Sequence, residues 1–213
     1  LLILTLCLKI NNNLALNHFN TKFSKKIMVD EDYFKYFNEL DLKLRNCSSR
    51  NECKRKYKNS VLTFNQNEIG MLENIVKSFK NMLDDKFKKI FKELKFIRVK
   101  NEIEYGLPHT HDKAIIFSSN IFNSLFEKYK LDKNFLENDL TMIQLISHEQ
   151  FHIFQRLNSN LIDDLYTNYW NLIKLEQELP AFILNVNRSN PDALPNNNWL
   201  INRKFTILNH ILN

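Results

Sequence analysis

Apolar positions recur at three- and four-residue intervals along most of this chain and at two-residue intervals in a few short runs, which predicts a mostly helical protein with a small sheet. From Asp30 to Leu44, residues Tyr33, Phe34, Phe37, Leu40 and Leu44 share one helical face. A basic turn with Cys47 and Cys53 is expected next. A longer helix is expected from Asn67, with Ile75, Val76, Phe79, Leu83, Phe87, Ile90, Phe91 and Leu94 as its buried stripe. Phe96 to Lys100 and Ala114 to Phe117 read as strands, and Glu104 to Asp112 between them, with a glycine and a proline, as a turn. Helices are expected again over Ile121 to Tyr129, Leu140 to Leu157 and Leu161 to Leu175, the last with Leu165, Tyr169, Leu172 and Ile173 inward. After Pro180 the pattern loosens through Asn190-Pro191-Asp192, and Phe205 to Leu208 reads as a closing strand.

The 213 residues, 44% of them hydrophobic, suit one domain with a substantial core. The opening run from Leu1 to Ile10 is too short to span a bilayer and about right for the core of a signal peptide. Residues 1–27 are therefore set apart, as a signal-peptide remnant or a non-native leader before a start at Met28, and residues 28–213 form the domain. The first reading implies secretion and the second the cytoplasm. Secretion would also suit a bond between Cys47 and Cys53, and the glycosylation acceptors at Asn46 and Asn187. A net charge of +6 raises the question of an anionic partner. No recognised binding motif accompanies it, so nucleic acid is not the expected partner.

The helix over Leu140 to Leu157 changes the picture, because it contains His148-Glu149-Gln150-Phe151-His152. Residues four apart lie on one helical face about 6 Å apart, so His148 and His152 can offer nitrogens to one tetrahedral Zn²⁺. Glu149, about 100° around the helix, can take a proton from a water beside the metal. Met142, Ile143, Ile146, Ile153, Phe154 and Leu157 supply an apolar back, and Asn138 or Asp139 a cap.

A catalytic zinc takes three protein ligands and keeps one open position. Glu178, near the bend expected at Pro180, is the preferred third ligand, with Glu176 and Asp192 as alternatives. His109, His111, Tyr166 and Tyr169 are candidates for contact with the substrate or its oxyanion.

Several segments together resemble a family of uncharacterised HExxH proteins: Phe96 to Lys100, Thr110-His111-Asp112-Lys113-Ala114-Ile115-Ile116-Phe117, Leu145 to Arg156, and Asn190-Pro191-Asp192-Ala193 after Pro180. The resemblance covers roughly residues 90–200. His111 stands where that pattern has Arg, and Ser189 where it has Thr. It implies a zincin-like metallopeptidase fold and carries over His148, Glu149 and His152. The expectation is thus an α+β zincin-like domain, gluzincin-like in its ligands, mostly helical with a small sheet beside the HExxH helix. It would use Zn²⁺ to hydrolyse a peptide or protein. The alternative is a catalytically inactive zincin-fold binding protein that recognises an anionic partner through its basic surface.

Overall fold

The computed structural model describes residues 21–85, 94–175, 180–184, 186, 190, 192 and 199–201. Its centre is a four-stranded mixed sheet in the order β1-β2-β4-β3, made of β1 (Val61–Leu62), β2 (Phe96–Val99), β3 (His109–His111) and β4 (Ala114–Ser118). β2 and β4 run parallel, while β1 and β3 lie antiparallel on the two edges. Side chains of a strand alternate between faces, so β2 and β4 divide their apolar residues between two cores. Phe96, Ile115 and Phe117 face one core, and Ile97, Val99, Ala114 and Ile116 face the other. The chain is therefore α+β, with helices on both sides of the sheet.

The first core is closed by α5 (Gln66–Met82), α6 (Ser119–Leu131), α7 (Phe135–Asn138) and α8 (Leu140–Leu157). Asn65 and Glu68 form a reciprocal capping box at the start of α5, and Leu72, Ile75, Val76 and Phe79 are its buried stripe. Asp139 caps α8 by accepting from the Met142 N–H at 3.1 Å. Met142, Ile146 and Ile153 anchor α8 on the core side. Each fully buried side chain of this size contributes roughly 1.5–3 kcal/mol.

The second core is closed by α1 (Thr21–Ile27), α2 (Glu31–Phe34), α3 (Glu39–Leu44) and α4 (Arg50–Ser60). Ile27 and Met28 are buried there, so the part of residues 1–27 that is described belongs to the domain. The helix expected over Asp30 to Leu44 is two helices, because Asn38 forms a capping box with Asp41 and starts α3 afresh. The expected basic turn is largely α4, capped by Ser49 on Glu52 N–H. Only Cys53, Tyr57 and Ser60 of α4 are buried, so no apolar stripe announced it. Cys53 is bonded to Cys47, with Cα atoms 5.4 Å apart.

The C-terminal expectations fared differently. Leu161 to Leu175 is not one helix: α9 (Ser159–Asp164) runs into a π-turn at Leu165–Tyr169, and β5 (Leu172–Lys174) then pairs antiparallel with β6 (Trp199–Ile201). Ile162 is the buried residue here, while Tyr169 and Ile173 are exposed. A short α10 (Ala181–Leu184) follows Pro180. Phe87, Ile90, Phe91 and the strand expected at Phe205 to Leu208 lie outside the described residues. Among the described residues no helix is long and apolar enough to cross a membrane.

Candidate metal centre

Helix α8 buries Ile146 and Ile153 and leaves His148 exposed and His152 half-buried on the opposite side. The four-residue spacing brings their Nε2 atoms to 3.0 Å, with the rings nearly perpendicular. Two imidazoles bound 2.0–2.1 Å from one tetrahedral metal hold their nitrogens about 3.3 Å apart. The pair therefore fits two corners of a zinc site.

A relay of hydrogen bonds holds the His152 ring. Tyr166 Oη accepts from Gln155 Nε2 at 3.0 Å, which turns Gln155 Oε1 toward His152 Nδ1 at 3.2 Å. With Nδ1–H donating to Gln155, the lone pair of His152 sits on Nε2, facing His148. Burial lowers the pKa of the ring, opposed by Asp192 and helped by His148. A neutral imidazole is the form a metal requires.

Glu149 lies beside this pair and is almost fully buried. Among the described residues its Oε2 finds no hydrogen-bond donor. Burial first, and then the charge of Asp192, push its carboxyl up to about 8, against the pull of Arg156. A buried carboxyl without a partner is costly and uncommon in a core, and it is the usual condition of a general base awaiting its substrate or ion.

Asp192 reaches the same neighbourhood by a different route. Its Oδ1 accepts from both the backbone N–H and the hydroxyl of Thr110, each at 2.7 Å. Arg156 donates to the Asp192 carbonyl, to Thr110 Oγ1 at 2.7 Å and to the Asp112 carbonyl at 3.0 Å.

His109 and His111 are turned away from this centre. In the β3–β4 register Thr110 stands opposite Ile115 and faces α8, whereas His109 and His111 stand opposite Ile116 and Ala114 and enter the second core. There His111 lies against Tyr33, their ring centres 3.5 Å apart, and its Nδ1 meets the Ile27 carbonyl. The strand alternation that put both histidines on one face put them on the face turned away from α8. Tyr166 is at the centre, but as the partner of Gln155, stacked on Trp170. Tyr169 is exposed. Glu176 and Glu178 lie outside the described residues. Among the described residues, no group of three His, Cys, Asp or Glu side chains is placed to hold a metal.

Gln155, Arg156 and Thr110 were not singled out as site residues from the sequence. Gln155 and Arg156 follow His152 by three and four positions on the same helical face, and that spacing was the available signal. No protein-family model, curated protein or solved structure matches the chain.

Proposed function

We propose that the chain is a zinc-dependent hydrolase, most simply a metallopeptidase of zincin-like fold, with His148 and His152 as two ligands, Glu149 as base and Glu178 or Glu176 as third ligand. The observation that carries this reading is the convergence of two imidazole Nε2 atoms beside a buried carboxyl whose Oε2 has no hydrogen-bond partner among the described residues. The zincin-like fold is part of the proposal, supported by the antiparallel edge strand β3 that packs beside α8. The Cys47–Cys53 disulfide favours an oxidising compartment.

A zinc ion held by these residues would supply Lewis acidity and make a neighbouring water easier to deprotonate. Glu149 takes the proton from the attacking water at its carboxylate and passes it to the departing nitrogen. Gln155, itself held by Tyr166, keeps the Nε2 lone pair of His152 pointed into the centre.

The test is Glu149→Gln, assayed for zinc and for cleavage of a diverse peptide library. Zinc should be retained and turnover should fall by roughly 10²–10⁴-fold. Undiminished turnover in this variant contradicts the assigned base. Zinc in the wild type without cleavage of any peptide points instead to the binding-protein alternative.

A further inference from the structure

Arg156 continues the face that carries the two histidines, one turn beyond His152, and it ties three segments together at one point. Its guanidinium reaches Thr110 Oγ1 and the Asp112 carbonyl on β3 and its turn, and the Asp192 carbonyl from the C-terminal region. Asp192 answers in kind. Its Oδ1 occupies the outward N–H and the hydroxyl of Thr110, and its backbone N–H is bonded to Asn190 Oδ1 at 3.0 Å, an Asx turn that fixes the direction of the side chain. Helix, edge strand and turn thus meet in one knot of charged and neutral hydrogen bonds.

We infer that Asp192 is a positioning residue of the candidate metal centre, acting through Thr110 and Arg156 and not as a metal ligand. The inference rests on the zinc reading of His148 and His152. Two observations separate it from a ligand role. Its Oδ1 already accepts two short hydrogen bonds from Thr110, which commits one of the two carboxylate oxygens to β3, and Asp192 completes no metal-holding group with the histidines among the described residues. Its negative charge nevertheless acts on both His152 and Glu149. Without the knot, α8 loses its polar tie to the edge strand, and the two imidazoles lose a fixed position relative to β3.

Asparagine at position 192 retains an oxygen that can accept both Thr110 donors but is a poor metal ligand. Alanine removes the acceptor altogether. The experiment is a zinc titration against a chromophoric chelator, paired with the visible absorption spectrum of the Co²⁺ form, on wild type, Asp192→Asn, Asp192→Ala and Thr110→Val. Loss of a partner that orients a metal centre weakens metal binding by roughly 10–100-fold. Asp192→Ala should show that loss, Asp192→Asn should recover most of it, and the cobalt spectrum of Asp192→Asn should match wild type. Thr110→Val should weaken zinc in the same direction, by less, and decides the matter if Asp192→Ala does not fold. Wild-type affinity in both Asp192→Ala and Thr110→Val overturns the inference. So does an Asp192→Asn protein as weak as Asp192→Ala with an altered cobalt spectrum, which would make Asp192 a ligand. A wild-type protein that takes up neither Zn²⁺ nor Co²⁺ overturns the zinc reading and this inference together.

Discussion

Each face of the central sheet buries a glutamate, and the two are treated in opposite ways. On the face covered by α1 to α4, the Glu104 carboxylate accepts from Arg45 Nε at 2.7 Å and Nη2 at 3.1 Å, from Tyr33 Oη at 2.7 Å and from Tyr57 Oη, and Arg45 also pairs with Asp41. On the face covered by α8, Glu149 Oε2 and Gln150 Nε2 are buried with no hydrogen-bond partner among the described residues, next to two converging imidazoles. A saturated network is built to stay closed; a buried charge-bearing group left open is built to receive something. The saturated face even holds Glu104 and Tyr105 in left-handed backbone, at φ 44° and 58°. Strain of that kind, roughly 1–3 kcal/mol per residue, persists only where surrounding contacts over-determine it. The Nε2 atoms of His109 and His111, which have no hydrogen-bond partner among the described residues, also lie on this face, and burial lowers the pKa of both rings, that of His111 to about 3.

The sharpest way to break this contrast is to remove one ionisable group from each face. Arg45→Met strands Glu104 without its counter-ion and should cost about 3–5 kcal/mol in urea unfolding. Glu149→Gln, in metal-free protein, removes a buried carboxyl that has no partner and should leave stability unchanged or raise it by about 1–3 kcal/mol. Comparable losses in the two variants would mean that Glu149 is structural.

Acid should act on the saturated face next. Burial pushes the Glu104 carboxyl up, but Arg45 and the donated hydrogen bonds pull it further down, to about 2. Because the folded value lies below the usual 4.5, the unfolded chain binds more protons in this range, so stability falls as pH drops from about 4.5 to about 2. The loss should approach about 3 kcal/mol. His111 has the same sign: its folded value is depressed, so stability falls as pH drops from about 6.5 toward 3. Thermal unfolding followed between pH 7 and pH 3 measures both. A melting temperature flat across that range would deny the network its stabilising role.

A smaller effect is expected from the relay on the open face. Gln155→Ala releases His152 Nδ1 and should weaken zinc binding by roughly 10–100-fold, about 1.4–2.7 kcal/mol, with little change in urea stability. Unchanged zinc affinity would leave the tautomer of His152 without the assigned support.

What could be read from the sequence differs between the faces for the same physical reason. The face of α8 was legible because residues four apart share a helical face, and His148, His152 and the apolar positions behind them obey one period. Strands β2 and β4 were legible from their own apolar runs. The saturated face was not. Arg45, Tyr57 and Glu104 are brought together by the fold across sequence separations of up to 59, and no local pattern records such a pairing. Helix α4 was hidden because a disulfide and a tyrosine, not an apolar stripe, attach it to the core. The direction in which His109 and His111 point depended on which face of β3 meets α8, and the alternation of a single strand leaves that choice open.

The account stands on His148 and His152 sharing a zinc ion, and elemental analysis of the purified chain after zinc loading and exhaustive dialysis tests this most directly. The wild type should retain about one zinc per chain, and His148→Ala and His152→Ala should each retain almost none while keeping the wild-type fold by circular dichroism. A wild type that dialyses free of zinc, or histidine variants that hold as much as it does, would contradict the account.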